Sequence, residues 1–151
     1  MVDTPTYMEQ ALAEAEAAAA RNEVPVGAVM VATVTGKVLA AAGNRTRELD
    51  DPTAHAEMLV IREAAAKLGA ERLGACDLYV TLEPCPMCAQ AISFARIRRL
   101  YFAASDEKGG GVENGPRIFD ASTCHHAPEV YGGIDENRAA TLLRDFFRDR
   151  R

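Results

Sequence analysis

The chain has 151 residues, an apolar fraction of 48% and a formal net charge of −5, from 17 basic and 22 acidic residues. That length and composition suit one domain over residues 1–151 with a sizeable core, and they exclude a disordered chain. No run of eighteen apolar residues occurs, so no membrane-spanning helix is expected. The opening MVDTPTYMEQ lacks the basic-then-apolar plan of a secretory signal, so a cytoplasmic protein with reduced thiols is expected. The first 60 residues hold 9 acids and 4 bases, and the rest hold 13 of each. Whole-chain charge therefore gives no support for a nucleic-acid partner. Two basic clusters, Arg96 with Arg98 and Arg99, and Arg144 with Arg148, Arg150 and Arg151, read either as phosphate-tracking patches or as solvated surface.

Residues 6–21 read as an amphipathic helix with a Thr6/Glu9 capping box and with Met8, Ala11, Leu12, Ala15 and Ala19 on one face. Residues 24–34 are β-branched and apolar and predict a buried strand, turned by Thr35-Gly36-Lys37 into a second strand over 38–42. A polar loop follows, then a helix over 54–68 with Met58, Ile61, Ala65 and Leu68 on one face and Gly69 as its stop. Residues 78–82 predict a third strand, Pro86 opens a helix running to about Phe94, and 99–105 predict a fourth strand. Residues 118–130 carry no assignable pattern, and 135–149 predict a closing helix bearing Leu142, Leu143, Phe146 and Phe147. Adjacent positions on a helix do not face the same way, so one of these two phenylalanines is expected in the core and the other outside. Strands alternating with helices predict an α/β sheet layered with helices, and the opening hairpin makes that sheet mixed.

Cys85 and Cys88 in TLEPCPMCAQ could form a redox dithiol, half of a structural zinc site or part of a catalytic metal site. No second Cys-x-x-Cys exists to complete a zinc ribbon, and Cys76 and Cys124 stand alone. The pair opens a helix, where the macrodipole and free backbone donors favour thiolates. The chain has three histidines. His125 and His126 are adjacent and, with Cys124, hard to direct at one ion. His55 stands at a helix start with Glu57 two residues on. One imidazole and two thiolates around zinc leave the fourth position open, the arrangement of a catalytic ion. Glu57 is then placed to take a proton from the activated water. Alone, His55 reads as an ordinary helix-start residue and Cys-x-x-Cys is weak. Together, His-x-Glu and Pro-Cys-x-x-Cys about thirty residues later form the known signature of nucleobase-modifying zinc deaminases.

On these residues the chain resembles the cytidine/deoxycytidylate deaminase superfamily, and within it the bacterial branch acting on the wobble adenosine of an arginine tRNA. The matching stretches are EVPVGAV, GNR, DPTAHAE, LYVTLEPCPMC, ARIRRLYFAASDEKGG and DFFRDRR. The resemblance implies a three-layer fold with a five-stranded mixed sheet and helices on both faces, a homodimer, and a tRNA anticodon stem-loop as partner. It implies one zinc ion on His55, Cys85 and Cys88, proton shuttling by Glu57, and Asn44 against the target base. Val26 and Leu82 would wall the pocket, and Asp106 and Lys108 would border the nucleotide strand. Phe147 and Arg148 would touch the anticodon loop. The implied reaction is hydrolysis of the adenine amino group to give inosine.

Two features depart from the commoner pattern of that branch. The stretch GGGVENGPRIF is unusually rich in glycine, and the residue between Cys85 and Met87 is proline. PCPMC also occurs in guanine deaminases that act on a free base, which makes such an enzyme the leading alternative. RIRRL and FFRDRR argue against it. A zinc-stabilised RNA-binding protein without turnover is the non-enzymatic alternative, and it would have no use for Glu57.

Overall fold

The computed structural model describes residues 6–150; Arg151 of the second basic cluster lies outside them. Helix α1 covers Tyr7–Ala20. Strands β1 (Gly27–Ala32) and β2 (Val38–Gly43) form the hairpin, and α2 (Ala56–Leu68) leads to β3 (Cys76–Leu82). Helix α3 (Pro86–Ala95), β4 (Arg99–Ala104), a short 3-10 turn over Ile118–Asp120, β5 (Glu129–Tyr131) and α4 (Glu136–Arg148) complete the chain. The sheet order is β2-β1-β3-β4-β5. β1 runs antiparallel to β2 and β3, whereas β3, β4 and β5 are parallel. The expected five-stranded mixed sheet is what forms.

Alternation along the strands divides the core into two layers. Ala28 and Met30 of β1, Leu78 and Val80 of β3, and Leu100 and Phe102 of β4 face α2 and α3. Val29, Val31 and Ala103 face the opposite way, toward Met8, Ala11 and Leu12 of α1 and Ala139 of α4. On that side Tyr79, Tyr101 and Tyr131 stack in register across three strands, with ring centroids 4.4 and 5.1 Å apart.

Several local expectations are adjusted. At the start of α1 the Thr6 hydroxyl accepts from the Glu9 N–H at 3.1 Å, but the Glu9 carboxylate meets that hydroxyl rather than the Thr6 N–H. The fifth inward position of α1 is Ala18 rather than Ala19. The buried stripe of α2 is Ala56, Glu57, Val60 and Ala64. Met58 and Leu68 lie off it, because the inward face turns to carry Glu57 toward the sheet end. Phe146 is buried and Phe147 is 50% exposed. Three arginines of the basic clusters are paired in place: Arg98 with Asp77 at 2.9 Å, Arg99 with Glu129 at 2.7 Å, and Arg148 with Asp145 at 3.3 Å. Arg150 lies over the Phe146 ring. No helix among the described residues is long and apolar enough to cross a membrane.

α1 crosses β1 at Gly27, where a Cβ would run into the carbonyl oxygen of Ala11 and stand 2.6 Å from Ala15 N. Backbone cannot retreat there without unseating the helix. Gly27→Ala is expected to destabilise the fold by about 1–3 kcal/mol, read as a lower urea midpoint at unchanged slope.

Candidate active site

Four element ends meet at one end of the sheet, beside its interior strands. β1 begins and β3 ends there, because the two strands are antiparallel, and α2 and α3 both start there. His55 is the N-cap residue of α2 and Cys85 that of α3, and neither makes a side-chain cap hydrogen bond. Each side chain is turned toward the other. The His55 Nδ1 stands 3.6 Å from Cys85 Sγ and 3.5 Å from Cys88 Sγ. Ligand atoms of the three lie within 4.8 Å of one another, the one such grouping found among the described residues.

This spacing can be tested against zinc. With Zn–N of about 2.1 Å and Zn–S of about 2.3 Å, a tetrahedral ion sets its nitrogen and sulfur donors about 3.6 Å apart. The observed separations match. Hydrogen bonding from Cys88 and burial act in opposite directions on Cys85, and the net effect holds its thiol down to about 4. The Cys85 thiolate beside it and burial push the Cys88 thiol well up. Two sulfurs that share one proton in this way are a pair that a dication would ionise fully.

Glu57 lies in the first turn of α2 and is 3% exposed. Its Oε1 is buried without a hydrogen-bond partner. Burial pushes its carboxyl up to about 7. A buried orphan oxygen of this kind marks a place for a water or substrate group. Glu83, a second buried carboxylate lining the same cavity, differs in its hydrogen bonding. Burial pushes it up, but hydrogen bonds from Asp106, Asn114 and Val112 overcome that, so it lies below the usual carboxylate range. Two neighbouring carboxyls driven apart by their surroundings have separate roles.

The cavity in front of these groups is about 260 Å³ and is lined by Val24, Val26, Asn44, His55, Glu57, Leu82, Glu83, Cys85, Asp106 and Gly109. It thus gathers most of the residues expected from the sequence. Asn44 is fixed on both sides. Its N–H donates to Val26 O, its carbonyl accepts from Arg21, and its Oδ1 accepts from Ala56 N–H at 2.8 Å. Only the amide oxygen can meet that N–H, so Nδ2 is the atom left to donate into the cavity. The loop after Asn44 is held by Glu23, whose carboxylate accepts the N–H groups of Arg47 at 3.1 Å and Glu48 at 2.8 Å.

A second hollow of about 280 Å³ adjoins the first, shares Leu82 and Asp106 with it, and is bounded by Ala140, Leu143 and Phe147. Lys108 is exposed on the loop beyond, and Arg148 is exposed but paired with Asp145 and Asp149. Neither lines the first cavity. The second potential metal group does not assemble. Cys124 donates to His126 O at 3.1 Å, and the His126 Nε2 meets Ile97 O at 2.8 Å. His126 N–H also donates to Ser93 Oγ at 3.3 Å, which ties the loop after the 3-10 turn to α3. Glu83 and Glu23 are missed by sequence reasoning, since their partners are backbone N–H groups that no residue pattern reveals.

Residues 1–104 match the family described as the cytidine and deoxycytidylate deaminase zinc-binding region. The chain belongs to this family of zinc-binding deaminases, and within it to the group of tRNA-specific adenosine deaminases. It is 60% identical over 151 residues to the tRNA-specific adenosine deaminase of Agrobacterium fabrum, covering 100% of this chain and 98% of that protein. A solved structure from work on A-to-I editing by tRNA deaminases at the wobble position superposes with a TM-score of 0.88 at 62% identity. It covers 91% of this chain and 98% of that one. A guanine deaminase from Nitrosomonas europaea is more distant, with 25% identity and a TM-score of 0.77 over 97% of this chain and 85% of that one. The resemblance carried by His55, Glu57, Cys85 and Cys88 is thereby borne out at the level of the family.

Asn44→Ala should lose the cap on α2 and cost about 1 kcal/mol. Asn44→Asp should recover most of that stability, since a carboxylate still accepts from Ala56 and is favoured at a helix N-terminus. Thermal denaturation of the two variants checks this; equal losses would contradict it.

Proposed function

We propose that the protein hydrolyses the amino group of the wobble adenosine in a tRNA anticodon loop, giving inosine and ammonia. It does so in the cytoplasm as a homodimer, with one zinc ion per chain on His55, Cys85 and Cys88. The observation that carries this reading is the orphaned, buried Glu57 Oε1, set between the His/Cys/Cys trio and a cavity sized for one base. At about 260 Å³ the cavity falls below the roughly 300–1,000 Å³ of pockets for drug-sized ligands.

Zinc, when held there, supplies the Lewis acidity that makes water a nucleophile near neutral pH. Glu57 takes a proton from that water at Oε1. It returns the proton to the ring nitrogen beside the amino-bearing carbon, then takes the remaining proton of the added hydroxyl and gives it to the departing amine. A C–O bond forms, a C–N bond breaks, and water's elements are divided between inosine and ammonia. Asn44 Nδ2 donates to an acceptor on the base edge, while Val26 and Leu82 supply apolar walls. The base must leave its stack to enter, which costs less from a loop than from a duplex.

The adjoining hollow favours a nucleic acid over free guanine as substrate. It continues the cavity past Leu82 and Asp106 toward the exposed ring of Phe147, an extension that a free base cannot use. An aromatic face there suits a splayed neighbouring base. Lys108 supplies positive charge farther out, and Arg148 would have to exchange Asp145 and Asp149 for a phosphate to add to it. Pro86 gives no support to a guanine deaminase, because its place at the first position of α3 is explained by helix geometry. Exposed Leu68 and Phe94 on the outer sides of α2 and α3 support the homodimer.

Offered a wobble-adenosine anticodon stem-loop, free guanine and free adenosine, the zinc-loaded protein should release ammonia from the stem-loop and form inosine there. Release from guanine alone would overturn the reading. Glu57→Gln should keep zinc and lose about 10²–10⁴ in rate, and unchanged turnover would remove Glu57 from the mechanism. Cys88→Ala should lose zinc by metal analysis, and full occupancy would refute the ligand set.

A further inference from the structure

Glu83 follows β3 directly and precedes Cys85 by two residues. It is 2% exposed, and the chemistry above does not use it. Its carboxylate is saturated. Oε1 accepts from the Ser105 hydroxyl at 3.3 Å, Asp106 N–H at 3.0 Å and Asn114 Nδ2 at 2.7 Å. Oε2 accepts three consecutive backbone N–H groups, those of Val112, Glu113 and Asn114, at 3.1, 3.0 and 3.1 Å. Consecutive N–H groups turned on one anion form a nest, a geometry that elsewhere holds phosphates or metal clusters. Here the chain supplies its own anion. With six donors in place, Glu83 has no capacity left for a substrate proton.

The same contact accounts for the glycines. A Cβ at Gly110 would run into Glu83 Oε2, and one at Gly111 would stand 2.6 Å from Pro86 N and 2.9 Å from Cys85 C. Gly111 N–H also donates to Pro84 O at 2.8 Å. Loop 105–114 is thus laid directly on the turn that presents Cys85. Its other side supplies Asp106 and Gly109 to the cavity wall. Asp106 itself is held by its own turn, with Oδ1 accepting from Lys108 N–H and Gly109 N–H at 3.2 and 2.9 Å.

We propose that Glu83 is a positioning residue for substrate, pinning loop 105–114 to the Pro84–Pro86 turn and thereby fixing the Asp106–Gly109 wall of the base cavity. Glutamine at this position cannot do the same, since whichever way it turns, its NH₂ faces donors. The kinetic part of the inference rests on the deaminase reading; the clamp itself does not.

The test compares zinc-loaded wild type with Glu83→Gln and with Gly110→Ala, which lifts the loop while leaving the carboxylate and the Cys85 turn chemically unchanged. Amide hydrogen exchange at 106 and 112–114 should quicken about tenfold or more in both variants. Zinc content should not change. KM for the stem-loop should rise about five- to tenfold with kcat within about twofold, the signature of lost uniform binding. Unchanged exchange in these amides overturns the clamp. Faster exchange with unchanged KM overturns the positioning role, as does loss of zinc with a fall in kcat alone. Should Glu83→Gln fail to fold, Gly110→Ala decides by the same readouts. Should wild type leave the stem-loop untouched, the proposed function fails by itself. The clamp is then judged by exchange, and KM is read on whichever base the wild type deaminates.

Discussion

Two helices begin at the same point, and both give up their side-chain caps to do so. His55 and Cys85 occupy N-cap positions in extended backbone, where a serine or aspartate would normally bond back to the helix. Their side chains instead meet across 3.6 Å. Each loss is offset locally and differently. At α2, Asn44 reaches over from the loop after β2 and accepts the Ala56 N–H. At α3, Pro86 has no N–H to satisfy. The positive ends of two helix dipoles then converge on the sulfurs, which favours their ionised form.

The surrounding sheet makes this convergence possible. An antiparallel β1–β3 pair brings the start of one strand beside the end of the other, so Val26 and Leu82 wall the same cavity. The parallel β3–β4 pair carries the chain back to the same end of the sheet, where loop 105–114 can fold over the Cys85 turn. Two buried glutamates then fix the two loops that frame the cavity, Glu23 for the Asn44 loop and Glu83 for the glycine-rich one. Glu57 is the carboxylate kept apart from such duty, with one oxygen unpartnered. Binding of charge by backbone amides in two places leaves the third carboxylate free for proton transfer.

Much of the site was legible in the sequence because its chemistry lies in rare residues at fixed spacing. Three histidines and four cysteines leave few ways to build a metal trio, and His55 with Cys85 and Cys88 is the set that assembles. The contributions of Asn44, Asp106 and Phe147 came through resemblance rather than through spacing. The stripe of α2 was read one step round the helix, because hydrophobicity points to Met58 and Leu68 while the fold turns Glu57 inward. β5 gave no signal, being three residues long, mostly exposed and on the sheet edge. The glutamate clamps were invisible for a plainer reason: a carboxylate that bonds backbone N–H groups 23 to 31 positions away leaves no pattern in side chains.

The central claim is that an ion at this meeting of helices has three protein donors and one position left open. X-ray absorption at the zinc edge of the loaded protein tests it directly. The account predicts two sulfurs at about 2.3 Å and two lighter donors at about 2.0–2.1 Å, one of them exchangeable on adding a substrate-like base. Three or four sulfurs around the ion, or a closed set that ignores added base, would contradict it.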